Sequence, residues 1–390
     1  MHGSPGFEYY LYRHTHPVLP GESLWNAPFP ISRNHTVNDD PEAVFPEFHL
    51  GDYFTAARCV LEKCDFKILT NAVSRLTKRA VLSSQIQCIR ICLKKHGEFY
   101  HPAKVEVQGD DISVSIVLNV AVSENGVEGI QQEYRALKSL SDKYPFSYSP
   151  KVFGIDVHEI SGKPIWMFLG EWLEGYHEFH HLPEDSGNGT RIQVWDEKGR
   201  FFLTNSQEME LYRQIAHILT LYYNIHTFEE ISPWHHAAGD FVIMVDDDSM
   251  RIKLISVRKY SSILASILPE KEHPKMALIL HALFLFFLNL SIRIRLDRIE
   301  GVGEMIWADE TAVKGFTAGF FSGLEMKPRP DDFPAPVSDC FLAYLLQCKK
   351  TDFDSLLSDM ANRYTREASI IQKHLKHHSA VLYESILQRL

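Results

Sequence analysis

The clearest periodicity lies near the middle of the chain. Val114, Ile116, Leu118, Val120 and Val122 recur at every second position, the spacing of a strand with one buried face. Ala103–Gln108 and Ile112–Ser123 read as two strands joined by a turn at Gly109-Asp110-Asp111. After Asn125-Gly126 the apolar period lengthens, which predicts a helix over Val127–Leu140, and Lys151–Val157 and Ile165–Trp172 read as two further strands. Four strands with one inserted helix predict a small, mostly antiparallel β lobe.

Downstream the pattern is mainly helical. A hairpin, Arg191–Trp195 with Arg200–Leu203, precedes a long helix from about Ser206 to Phe228. Asn205 and Glu208 have capping-box spacing, and Tyr212, Ile215, Leu219 and Tyr222 form the apolar stripe. A loop over Ser232–Asp240 leads into a second hairpin, Phe241–Val245 with Arg251–Val257, turning at Asp246–Ser249. An apolar helix near Lys275–Arg295 and three or four more helices follow. Its core, Met276–Ile292, is interrupted by His281, Asn289 and Ser291 and falls short of the roughly 20 apolar residues a membrane span needs, so it reads as a buried helix.

Upstream, residues 1 to about 50 read as an irregular arm. Helices are predicted near Tyr53–Cys64, with Asp52 as cap, and over Thr70–Lys95, with Gly97 as the stop. The expected class is α+β and two-lobed: residues 1–99 an N-terminal arm and helices, 100–172 a small β-rich lobe, 173–390 a helical lobe.

Composition narrows the function. Hydrophobic residues make up 45% and charged ones 23%, an ordinary globular balance, and the net charge of −10 is spread along the chain. With no concentrated basic stripe, nucleic acid is set aside as a partner. The six cysteines form no CxxC pair, and Cys88 and Cys92 read as small buried thiols on a helix. No apolar leader-like stretch marks the first 20 residues. A reduced, cytoplasmic setting is the expectation.

The order strand, strand, helix, strand, strand, linker, long helix, polar loop with Asp, hairpin, helices resembles the two-lobed kinase-like fold, most closely its aminoglycoside- and choline-phosphotransferase branch. The resemblance covers residues 100–325. Glu133, in Gln132-Glu133-Tyr134-Arg135-Ala136-Leu137, sits where that family's small-lobe helix carries its Glu. Pro150-Lys151-Val152-Phe153-Gly154 looks like the start of the next strand. Gly170-Glu171-Trp172-Leu173-Glu174-Gly175 is similar to the inter-lobe hinge, so the resemblance assigns nucleotide contacts to Glu171 and Leu173. Asp240, in Gly239-Asp240, resembles the catalytic Asp that orients the attacking hydroxyl.

Phosphoryl transfer also needs a cation on the phosphates and oxygen ligands for Mg²⁺. Where the family has its strand lysine, Val117-Leu118-Asn119-Val120 carries Asn119. Five residues beyond Asp240 stands Val245, which cannot ligate a metal, and the second metal Asp is replaced by Ser256, with Arg258 nearby. No glycine-rich loop precedes the strand pair. Three charge-handling positions are missing together, so the expected function is non-catalytic and pseudokinase-like, binding a protein or small-molecule partner, with no nucleic acid, membrane or metal. The alternative is an active small-molecule phosphotransferase using ATP and Mg²⁺, with Asp240 orienting the hydroxyl, Lys104 holding phosphate and Asp246–Asp248 supplying a metal carboxylate. On either reading Asn119, Glu133, Lys104 and Ser256 line the nucleotide position.

The remaining clusters each carry a plainer reading. His235, His236 and Asp240 would suit a metal-dependent hydrolase, yet no metal-ligand spacing accompanies them, and Asp246-Asp247-Asp248 is ordinary turn chemistry. His96-Gly97-Glu98-Phe99-Tyr100-His101-Pro102 reads as a capped helix end with packed aromatics. Glu133 without a lysine reads as a solvated or hinge-facing residue, Arg258-Lys259 as an exposed basic pair, and His180-His181 and His377-His378 as surface or loop pairs.

Overall fold

The computed structural model describes residues 4–30, 44–97, 99–183, 189–196, 199–232, 237–246, 249–262, 275–301 and 303–389. His235, His236, Asp247, Asp248 and Glu98 lie outside them. The chain is α+β and divides into two compact units, Met1–Glu174 and Gly175–Leu390.

The first unit contains, in order, β1 (Gly6–Leu11), β2 (Pro28–Pro30), β3 (Val44–His49), α1 (Leu50–Thr77), β4 (Ile86–Leu93), β5 (Ala103–Gly109), β6 (Ile112–Ala121), α2 (Glu124–Lys143), β7 (Val152–Ile160) and β8 (Lys163–Glu171). Six strands form one sheet in the order β1-β4-β5-β6-β8-β7. All neighbours are antiparallel except β1 and β4, which run parallel with Gly6 opposite Cys88. As the alternation predicts, Ile116, Leu118 and Val120 point to one face with Val105, Met167 and Leu169, and α1 covers them. The opposite face is polar toward β1 and packs on α2 toward β8, where Tyr134 meets Phe168. Ser123 caps α2 by accepting from the Gly126 N–H.

Two upstream expectations are corrected. The segment expected to be helical over 70–95 ends its helix at Thr77, and Ile86–Leu93 is a strand, β4. Ile89, Ile91 and Leu93 alternate with Cys88, Arg90 and Cys92, so the segment has a two-residue period, and the two thiols lie on a strand rather than a helix. Residues 6–11, expected to be irregular, form β1 at the sheet edge. The first helix ends near Cys64 as expected: Lys63 leaves the helical conformation, and Cys64, Asp65 and Phe66 all adopt left-handed ones, with φ of 54°, 57° and 59°, before the second helical stretch of α1 begins. Each such residue costs roughly 1–2 kcal/mol. Against this, α1 wholly buries Tyr53, Phe54, Val60, Leu61, Leu69 and Val73. At about 1.5–3 kcal/mol each, that burial exceeds the cost of the turn.

The second unit contains β9 (Glu178–Pro183), β10 (Thr190–Trp195), β11 (Arg200–Phe202), α3 (Asn205–Tyr222), β12 (Glu229–Ile231), α4 (Ala237–Asp240), β13 (Phe241–Asp246), β14 (Ser249–Leu254), β15 (Tyr260–Ser262), α5 (Met276–Arg293), β16 (Leu296–Arg298), β17 (Met305–Trp307) and α6 to α9 (Glu310–Glu325, Val337–Gln347, Lys350–Ala361, Ala368–Leu387). Thr204 rather than Asn205 caps α3, with Gln207 closing the box. Tyr212, Ile215, Leu219 and Tyr222 are buried as their spacing predicts. α3 and α6 pack backbone to backbone, because Gly315, Gly319 and Gly323 present no side chain at the seam. A Cβ on Gly319 would stand 1.9 Å from the Arg213 carbonyl oxygen. Among the described residues α5 is the one helix long and apolar enough to cross a membrane, and 61% of it is buried inside the protein.

Candidate functional site

In the first unit the strands place Lys104 and Asn119 on the same, α2-side face of the sheet. Lys104 is paired with Val117, two residues before Asn119, and Asn119 lies opposite Phe168. Glu133 is on α2 and only 3% exposed, which excludes the solvated alternative of the two expected for it. Lys104 stands between two carboxylates, 3.2 Å from Glu106 and 3.4 Å from Glu174, with its side chain only 14% exposed. It belongs to a ladder that crosses three strands. Arg90 bonds Glu8 at 2.9 Å and Glu106 at 3.4 Å, and Trp172 takes Lys94 and Lys104 over its ring, each at 5.4 Å. Lys104 is therefore already charge-compensated within the protein.

Glu171 and Leu173 flank Trp172 at the end of β8, and both are half-buried. Glu171 is tied to the preceding loop: its N–H donates to the Lys151 carbonyl at 2.8 Å, and its carboxylate accepts from the Lys151 N–H at 3.2 Å. The loop between β4 and β5 holds the aromatic and imidazole cluster. It is a strand-to-strand connection rather than a helix end. Its His96 and His101 rings approach Nδ1 to Nδ1 at 2.9 Å, and both pack edge-on against Phe29. Burial pushes the His96 imidazole down to about 4, so it is neutral at ordinary pH.

In the second unit Asp240 closes α4 and opens β13. Its side chain has no exposed surface, and Oδ1 accepts from Arg258 Nη1 at 2.7 Å. Its carbonyl also accepts from the Ile255 N–H at 2.8 Å, pinning the strand end after β14. Arg258, expected as an exposed basic residue, is turned inward onto this carboxylate with 26% of its side chain exposed. Ser256 sits in the same short segment, half-buried, and Val245 lies on β13 opposite Met250. Asp246 pairs with Arg251 at 3.0 Å at the hairpin end.

A residue not singled out by its motif completes the cluster. Asp297, on β16, is 3% exposed and accepts from the Ala238 N–H at 3.1 Å and the Arg298 N–H at 2.7 Å. It thereby fixes the turn that presents Asp240. Burial pushes its carboxyl up to about 7, opposed by those two N–H donors and reinforced by the Asp240 charge. An acidic residue directly after a long apolar helix was the available signal. His181 is buried beside it, its Nε2 3.8 Å from Asp297 and 3.3 Å from the Tyr212 hydroxyl. His180 and His378 are buried too, so of the two His pairs expected at the surface only His377 is exposed. Ser291 and Arg295 hold His378 at 3.0 and 3.3 Å.

Chemically, the Asp240 carboxylate is engaged by a guanidinium rather than open to a substrate hydroxyl. Among the described residues no group of three His, Cys, Asp or Glu side chains is arranged to hold a metal ion. No protein-family model matches the chain, and no curated protein is significantly similar to it.

Proposed function

We propose that the chain is a non-catalytic, pseudokinase-like protein of the kinase-like fold, of the aminoglycoside-phosphotransferase type, that binds a partner or ligand. The observation that carries this reading is the ion pair between the fully buried Asp240 and Arg258 at 2.7 Å. A general base must reach the proton it takes, and this carboxylate is committed to a structural cation. The fold assignment is supported by the strand order β4-β5-β6-β8-β7 with α2 inserted before β7, and by α3, the Asp240 turn and the β13–β14 hairpin following in sequence.

The alternative, an active phosphotransferase with relocated ligands, draws less support. Lys104 is held by Glu106 and Glu174, and Asp246 by Arg251. The deciding experiment is a thermal-shift titration with ATP, with and without Mg²⁺. A ligand bound at about 100 times its dissociation constant stabilises by roughly 2.7 kcal/mol, well within detection. The expected result is no Mg²⁺-dependent shift. Phosphotransfer that disappears in Asp240→Asn would overturn the reading.

A further inference from the structure

In the second unit β9, β10 and β11 form a three-stranded sheet in the order β11-β10-β9. β11 is its edge, and Arg200, Phe201 and Phe202 are all exposed there. The pairing fixes which backbone groups face outward. The Leu203 N–H donates to the Ile192 carbonyl at 2.9 Å, and the Asp196 N–H donates to the Gly199 carbonyl at 3.0 Å. Backbone groups alternate sides along a strand, so the N–H and C=O of Arg200 and Phe202 point away from β10. Among the described residues no backbone group pairs with them.

One face of this edge carries charge. Trp195 is in register with Arg200 and Gln193 with Phe202, so these four side chains project to the same side. The Arg200 guanidinium lies over the Trp195 ring at 4.5 Å. Arg191, two residues before Gln193, lies over the Phe202 ring at 4.7 Å and donates to the Leu203 carbonyl at 3.1 Å. Among the described residues neither guanidinium has a carboxylate within ion-pair distance. The carboxylate on the same face, Glu178, lies two strands away on β9, 3.7 Å from His180. The two cations therefore stand in line with Arg200 and Phe202, two residues or about 7 Å apart along a strand. Phe201, opposite Val194, is on the other face and 36% exposed.

A short strand with a charged residue is the usual protection of a sheet edge. Two exposed phenylalanines and two uncompensated arginines go beyond that protection, and they define what would complete the edge. We propose that β11 takes up, as an added strand, an extended segment of a partner protein in which acidic and apolar residues alternate. Its backbone pairs with Arg200 and Phe202. Two carboxylates spaced by two residues meet the Arg200 and Arg191 guanidiniums, and the intervening apolar residues lie beside Phe201. This surface rests on the partner-binding reading above and gives that partner its chemistry. Asp240 and Arg258 take no part in it, so peptide binding and phosphotransfer can fail separately.

The test is a fluorescence-anisotropy titration of the full chain with a labelled peptide of alternating Glu and Val, compared with one of alternating Lys and Val. Co-sedimentation with phosphatidylserine vesicles runs beside it. Saturable binding of the Glu peptide alone is expected, weakened by about fivefold or more in Arg191→Ala and in Arg200→Ala, each of which removes one charge-assisted contact. Arg200→Glu, at an exposed position away from the core, should abolish binding and leave the fold intact. Methylating the backbone nitrogens of the Glu residues, or those of the Val residues, should abolish binding in one case and spare it in the other, because only one set faces β11. Failure of the Glu peptide to bind overturns the proposal. So does equal binding of the Lys peptide, wild-type affinity in Arg191→Ala/Arg200→Ala, or parent-like binding of both methylated peptides. Vesicle binding without peptide binding would assign the face to a membrane and overturn it too.

Discussion

Replacing Arg258 by Met would leave Asp240 with no exposed surface and without the guanidinium that accompanies it at 2.7 Å. Breaking a buried ion pair from one side costs about 3–5 kcal/mol, because the remaining charge loses its counter-ion. The neighbouring Asp297 carboxyl, also buried, can only add to that cost. The reverse change, Asp240→Asn, should cost less, about 1–2 kcal/mol, since Arg258 retains 26% of its side-chain exposure and can turn to water. Removing both charges together, in Asp240→Asn/Arg258→Met, should recover most of the loss. For a unit of this size each kcal/mol moves the midpoint by about 2–4 °C, so the single Arg258 change should lower it by roughly 6–20 °C. Calorimetry of the four proteins, with hydrogen exchange of the β13–β14 amides to identify the responding unit, measures the cycle. An Arg258→Met loss below about 1 kcal/mol, or a double variant no more stable than Arg258→Met, would show that the pair is not what holds this turn.

Three other changes probe separate features. The His96 imidazole is held at about 4 when folded and titrates near 6.5 when unfolded, so protons favour the unfolded chain between those values. The His96 contribution should be flat above about pH 6.5 and be lost toward pH 4 at up to about 1.4 kcal/mol per unit. Urea unfolding of His96→Gln across that range should show a shallower fall than wild type. Cys64→Gly, at an exposed position with φ of 54°, should stabilise by about 0.5–1 kcal/mol, as relief of the left-handed strain outweighs the added chain freedom. A lower urea midpoint would contradict that. Gly319→Ala should destabilise by about 3 kcal/mol, because the new methyl meets the Arg213 backbone rather than a yielding side chain. A midpoint within error of wild type would mean the α3–α6 seam is looser than described.

Local chemistry accounts for what was legible in the sequence. The alternation through β6, the Asp-rich turn before it and the stripe of α3 each act within one element, so their periods carry through to the structure. β4 was misread because an eight-residue apolar run with two thiols also suits a helix, and its two-residue period shows only when Arg90 is counted as outward. β1 has its partner far along the chain, and only Tyr9 of its side chains is buried, so no local pattern marks it. At the candidate site, Asp240 was visible through its hairpin. The inward turn of Arg258 and the clamp from Asp297 depend on tertiary approach across 18 and 59 residues.

The parallel pairing of β1 with β4 has a consequence for the chain as it is made. β1 leaves the ribosome about eighty residues ahead of the strand it joins. At 5–20 residues per second that is a delay of about 4 to 16 s. Throughout it, Gly6–Leu11 has no β-ladder to enter, and once β4 and β5 have paired, β4 presents an open edge until β1 arrives. Such an edge is a template for other strands. Docking of β1 therefore competes with association between nascent or freshly unfolded copies, and refolding yield should fall with rising protein concentration.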